Sequence, residues 1–340
     1  MTTQQPRIDF IDIAKGIAII LVVYGHCLRG LASANVVSTN SWLIITDYTI
    51  YTFHMPVFFM LSGIFFKSSL SKSRGFFWIK RFKTIVYPYF FWSLFQGSIQ
   101  IMLSGSGAVN NQMGIGRLYN IFLDPISPFW FLYALFFCNI LAYFSINLRI
   151  KIQLTSAFIA YISSFFIAPS VIADIFYGFF YFTLGMAAYQ YNLLSLITPS
   201  WGSVVKLSSI FFALSFCFYY ISLPVRLSFP AGLLGIASTL VFCATLEKIP
   251  RAASIPGFLK LVGQCSMSIY VMHIIFLGFV RTVLLRFFHI NNLAVLISSA
   301  IICAVLLPMI VQLFAIKLKI NDIVALPSST NLKVKHNQPQ

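Results

Sequence analysis

Apolar residues in this chain come in long runs separated by short polar breaks, a pattern that neither a surface helix nor a half-buried strand produces. Runs of roughly 20 residues match the length a helix needs to cross the hydrocarbon core of a bilayer. They predict spans near 13–31, 44–66, 84–104, 129–147, 152–168, 172–191, 204–223, 229–246, 265–287 and 293–316. The spans around 168–172 and 223–229 are closely spaced, and merging those on either side of one break would invert everything after it. Residues 1–12 read as a cytoplasmic N-terminus and 13–316 as one transmembrane domain. Residues 317–340, with their Asn, Lys, Gln and Pro, read as a disordered cytoplasmic tail. The expected fold class is all-α, a polytopic membrane bundle of about ten helices with both termini cytoplasmic. Ile17–Val23 continues into Tyr-Gly-His-Cys without a small-x-small cleavage site, so the first run reads as a retained span and not as a signal peptide.

Composition makes the bilayer the main solvent. Of 340 residues, 59% are hydrophobic and 9% charged, against roughly 25% charged in a soluble domain. The 37 Phe exceed what a soluble interior of this size hides, whereas lipid-facing helix surfaces hold them readily. The net charge of +16 comes from basic residues scattered between apolar runs, which excludes a nucleic-acid-binding domain. With the N-terminus inside, only Arg29, Arg117, Arg226, Arg281 and Arg286 fall on the outer side. Every other basic residue except Lys15, which lies within the first span, falls in the cytoplasm, as the positive-inside rule requires. The six cysteines lie in or beside apolar runs and read as small buried fillers, not as a disulfide framework.

Ionisable groups inside spans are costly and mark candidate chemistry. Lys15 and His26 are eleven residues apart, close to a whole number of helical turns, so they share a face about 16 Å apart along the axis. Asp12 lies on nearly the same face and could partner Lys15. Taken alone, Lys15 reads equally as a lysine snorkelling to the inner interface. His54 and His273 reach a depth similar to that of His26, which points to a shared polar site, while His289 and His336 lie outside. Tyr270 shares a helix face with His273, either as an orienting donor or as one more packed aromatic. Lys80, Arg81 and Lys83 present three cations within one turn. They read either as topology signals or as a site for phosphate groups. Trp130 falls where an interfacial aromatic anchor is expected, and the all-arginine outer set suits planar recognition of a carboxylate or phosphate. Motifs for a zinc site, a serine hydrolase or an ATPase are absent, so no metal site is assigned.

These residues also resemble a known family. Arg7-Ile-Asp-Phe-Ile-Asp-Ile-Ala-Lys15 through His26 resembles the opening of the acyltransferase-3 family of membrane O-acyltransferases, with its basic residue, ten positions and histidine. Phe53-His-Met-Pro-Val-Phe-Phe-Met-Leu-Ser-Gly63 is similar to the family's second-helix motif. Lys80-Arg81-Phe-Lys83 with Pro88 is similar to its basic motif, Phe129-Trp-Phe-Leu132 to its Trp-Phe-Leu motif, and Ser266 to His273 to its late Ser-x-x-x-Tyr-x-x-His pattern. The matches run in family order, and the wording is nearest to the fucose 4-O-acetylase-like branch. Lys15 stands where many members have arginine, which keeps the charge and loses the bidentate fork.

The resemblance implies an inner-membrane O-acetyltransferase. Acetyl-CoA would be the donor, no cofactor would be bound permanently, and the acceptor would be a glycan or lipid-linked glycan of the cell envelope. His26 would be the catalytic base, Lys15, Lys80, Arg81 and Lys83 would bind the donor, and Asp12, His54, Trp130, Tyr270 and His273 would support the site or its acceptor side. The rival expectation is a transporter or flippase that uses the buried histidines as a proton relay.

Overall fold

Each long apolar run folds as a helix, because in lipid a backbone can satisfy its N–H and C=O groups within the segment only that way. The computed structural model describes residues 9–37, 42–70, 73–105, 112–249 and 254–328. In chain order the helices are α1 (Asp9–Ser33), α2 (Trp42–Ile64), the short α3 (Phe66–Leu70) and α4 (Arg74–Arg81), and α5 (Tyr87–Met102). Next come the single turn α6 (Gly116–Tyr119), then α7 (Trp130–Phe144), α8 (Ile150–Ser163), α9 (Val171–Gln190) and α10 (Trp201–Tyr220). Finally there are α11 (Phe229–Glu247), α12 (Ser254–Gln264), α13 (Ser266–Thr282) and α14 (Leu293–Lys317). No strand occurs among the described residues.

Six of these are long and apolar enough to cross a membrane: α1, α9, α10, α11, α13 with its π turn to Phe287, and α14. The protein is therefore a multi-pass membrane protein. The other four expected spans are helical but differ in kind. α7 and α8 have 15 and 14 residues, or about 21–23 Å at 1.5 Å per residue, short of a 30 Å hydrocarbon core, while α5 runs on from a π turn over Phe82–Val86 that joins it to the basic α4. α2 has 23 residues but carries Asp47, His54 and several threonines among its apolar positions.

α1 sits at the centre, packed by α2, α11, α12, α13 and α14. Two thirds of its apolar stretch is buried, against 17% for α10 and 33% for α14, which face outward. The closest approach is to α12. A Cβ on Gly16 would lie 2.1 Å from the Leu259 carbonyl oxygen, and one on Gly263 would lie 1.8 Å from that of Asp12. Small residues that let backbones touch are the usual device for helix association in lipid. α2 and α9 cross in the same way at Gly63 and Gly185.

Two polar connections carry more structure than their sequence suggests. The basic stretch after α2 folds into α3 and α4, the latter capped by Ser73, whose hydroxyl accepts from Phe76 N–H. Phe66 and Phe77 bury their rings edge to face beneath it. Residues expected in the loop before 265 form α12, which at 11 residues cannot span and instead lies against the N-terminal end of α1. At the other end of the chain, residues 318–328, placed by their polarity in the tail, fold back on the bundle. Ala325 and Leu326 are buried, Gln312 Nε2 donates to the Pro327 carbonyl at 3.1 Å, and the Tyr87 hydroxyl donates to the Ile323 carbonyl at 2.6 Å. The apolar Val324-Ala-Leu326 step within the polar segment supplies that anchor. The remainder of the expected tail, from 329, lies outside the described residues, as does the expected N-terminus up to residue 8.

Candidate functional site

Because α1 is central and helical throughout, its polar residues are held at fixed heights, and each of the two main ones faces a cavity. At the N-terminal end, a cavity of about 380 Å³ is lined by Asp12, Lys15, Ser62, Thr84, Gln264 and Tyr270 among others. At the C-terminal end, one of about 600 Å³ is lined by His26, Arg29, Gln96, Ser127, Arg281 and Thr282 against an apolar wall from α13 and α14. Both cavities use α1 and α13. Along α13, Tyr270 lines the first and Ile274 the second, with His273 between them.

Lys15 is half-buried, with its ammonium 3.6 Å from the Asp12 carboxylate and 5.6 Å from the centre of the Phe65 ring. One turn of helix separates this pair from Ile19, the last α1 residue on that cavity. His26 packs its ring 5.0 Å from that of His273, centroid to centroid, tilted by 53°. His273 is fully buried, and its Nδ1 faces the carbonyl oxygens of Tyr270 and Ile269 at 2.7 and 3.2 Å. Its Nε2 is buried without a hydrogen-bond partner.

The other expected site residues fall into place differently. Lys80 and Lys83 are exposed on the helical stretch that leads directly into Thr84 and Ile85, both of which line the N-terminal-end cavity. Arg81 turns away from its two neighbours. It donates to the Ser69 hydroxyl at 2.7 Å and stacks over Phe77, and burial pushes its guanidinium down to about 10, still charged at neutral pH. His54 lines neither cavity. It is buried with Nδ1 on the Ile50 carbonyl at 2.6 Å and its ring edge-on to Tyr51. Trp130 opens α7 beside Phe59 and Phe131 and also lines neither cavity. The Tyr270 hydroxyl donates to the Pro128 carbonyl and not to His273, so this tyrosine pins the loop ahead of α7 while its ring packs on Phe131.

Three of the arginines expected on the outer side do recognise carboxylates, but those of this chain. Arg29 grips Asp47 through Nε and Nη2 at 3.0–3.2 Å and lies 3.3 Å over the Tyr51 ring. Arg117 pairs with Asp124 at 2.6 Å, and Arg226 pairs with Asp174. Arg281 donates to the Gly30 carbonyl at 3.1 Å, tying α13 to α1 beside His26.

Sequence reasoning passed over Gln96, Ser127 and Thr282. Gln96 is buried on α5, and its Nε2 donates to the Ser127 carbonyl at 2.9 Å, which leaves Oε1 without a partner. Its signal was there to read: an amide in the middle of an apolar run needs a buried partner or a ligand.

The family described as an acyltransferase domain, acyltransferase-3, matches residues 8–313. Two curated relatives are the nodulation protein NolL of Sinorhizobium fredii (strain NBRC 101917 / NGR234), 29% identical over 130 residues, and that of Mesorhizobium japonicum (strain LMG 29417 / CECT 9101 / MAFF 303099), 28% identical over 136. The first alignment covers 36% of this chain and 32% of the relative, the second 38% and 34%, so the matched part spans about a third of those relatives. No solved structure matches the chain. The family match takes in α1 and nearly all of the bundle: the chain belongs to the acyltransferase-3 family.

Proposed function

We propose that this protein is a membrane-bound O-acyltransferase of the cell inner membrane. It carries an acetyl group from cytoplasmic acetyl-CoA to a sugar hydroxyl of an envelope polysaccharide or its lipid-linked precursor. The observation that carries this reading is the pair of cavities at opposite ends of α1, one holding Lys15 and the other His26. The donor enters at the N-terminal-end cavity. The phosphates stay at its rim, near Lys15, Lys80 and Lys83, and only the slender pantetheine arm enters. The distance from Lys15 to the height of His26 is about 16 Å, a span that an extended arm can cover.

At His26 the acceptor hydroxyl gives its proton to the imidazole as its oxygen attacks the thioester carbonyl carbon. The C–O bond forms, the C–S bond breaks, and the departing thiolate takes the proton from the imidazolium, leaving a sugar ester and free CoA. General-base help of this kind contributes about 10²- to 10⁴-fold, and a histidine suits it because its ordinary proton affinity lies near neutral pH. Gln96 Oε1 and the Ser127 and Thr282 hydroxyls are the kind of groups that hold a polyol in register.

The test compares acetyl signals in the envelope polysaccharide by NMR, with and without the gene, and then with a His26→Ala protein shown to insert at the normal level. The signals should vanish without the gene and stay at background with His26→Ala. A His26→Ala protein that acetylates at the wild-type rate would sink the mechanism.

A further inference from the structure

We propose that His273 is the positioning residue for His26: its Nε2 accepts the ring N–H of His26 and so selects the tautomer whose other nitrogen faces the C-terminal-end cavity. This rests on the reading of His26 as the base.

The partners of His273 fix where its proton sits. Both groups facing its Nδ1 are backbone carbonyl oxygens, of Ile269 and Tyr270, and a carbonyl can only accept. The proton therefore sits on Nδ1, and a neutral imidazole carries only one, so Nε2 is a bare acceptor. That acceptor is wholly buried and has no hydrogen-bond partner. An acceptor left so is costly, and its presence in a packed interior calls for an explanation.

The neighbouring polar group is His26, whose ring centre is 5.0 Å away. At that separation two imidazoles whose edges face each other bring their nitrogens within hydrogen-bond reach. Catalytic hydrogen bonds commonly tighten in this way once substrate is bound. The nearby Tyr270 hydroxyl does not compete, because it is spent on the Pro128 carbonyl. His273 itself does not line the cavity, so it acts on the reaction only through His26. A base that can hold its proton on either nitrogen spends part of its time with the wrong one toward the substrate, and a fixed acceptor behind it removes that loss.

The experiment uses the full chain in lipid nanodiscs with ring-¹⁵N histidine, the His26 signals being assigned by their loss in His26→Asn. In the wild type the two His26 nitrogens should give separate protonated and unprotonated shifts. In His273→Leu they should move toward an average, and kcat should fall about 10- to 100-fold with KM for acetyl-CoA and acceptor changed by less than about twofold. His273→Gln, whose amide oxygen can occupy the position of Nε2, should restore the separated shifts and most of kcat. Averaged His26 shifts in the wild type, or shifts unchanged in His273→Leu, overturn the proposal. Since the wild-type spectrum needs only His26→Asn for its assignment, a His273→Leu chain that fails to fold leaves the test standing. Since the shifts need no turnover, the spectrum is read equally if the protein proves not to transfer acyl groups.

Discussion

The contact between α1 and α12 decides the shape of the N-terminal-end cavity, and substituting Gly16 tests it directly. An alanine Cβ there would lie 2.1 Å from the Leu259 carbonyl oxygen, 3.0 Å from its carbon and 3.2 Å from Gly263 N. All three are backbone atoms, so no side chain can swing aside. The helices must part by more than an ångström to bring a carbon–oxygen contact back to van der Waals distance. Overpacking of this kind costs about 1–3 kcal/mol, and the gain in helix propensity from glycine to alanine, about 1 kcal/mol, offsets only part of it. Gly263 and Gln264 line the cavity beside Lys15, so parting the helices also displaces its wall.

Gly16→Ala should therefore lower the thermal unfolding midpoint in detergent and raise the KM for acetyl-CoA. Gly257→Ala in the same α12, where a Cβ meets nothing within 4 Å, is the matched control and should be neutral or slightly stabilising. The double variant Gly16→Ala with Gly263→Ala should cost less than the sum of the singles, because one separation of the helices relieves both clashes. If Gly16→Ala melts like Gly257→Ala, the close crossing is wrong and so is the cavity built on it.

The three cations of the basic turn should separate by role. Neutralising Lys80 and Lys83 together should raise the KM for acetyl-CoA several-fold at low salt, with the effect shrinking as ionic strength rises. Arg81→Ala should instead lower the melting midpoint and leave that KM nearly unchanged, since its guanidinium is already committed to Ser69 and Phe77; kinetics with a salt series read both. Gln96→Leu removes the unpartnered Oε1 from the C-terminal-end cavity and should raise the acceptor KM about 5- to 10-fold with the donor KM unchanged, as initial rates at varied acceptor would show.

The parts of the fold that were legible in the sequence are those whose physics is local. A run of apolar residues must be helical in lipid whatever its neighbours, so α1, α9, α10, α11, α13 and α14 could be read directly. α12 could not. Its Leu-Lys-Leu-Val-Gly sequence is too short for a span, and what fixes it against α1 is a pair of glycines on two segments about 250 positions apart. The return of residues 318–328 rests likewise on Tyr87 and Gln312, contacts that no window along the chain contains.

The same division runs through the site. Lys15, Asp12 and His26 lie on one helix, so the geometry of α1 alone arranges them, and the structure gives each end of that face a cavity. Choices made between helices were hidden. The arginines expected on the outer side have the right chemistry for binding an anion, yet Arg29, Arg117 and Arg226 are each spent on an aspartate 7 to 52 residues away. A charge count cannot distinguish a guanidinium that awaits a ligand from one that clasps two segments. Three histidines at similar depth pointed to one shared polar site, but depth is only one coordinate. Rotation about the helix axis puts His54 against Tyr51, puts His26 on the cavity and leaves His273 behind it with its Nδ1 turned to its own backbone. A proton taken from a hydroxyl in that cavity therefore has one imidazole within reach and a second standing behind it.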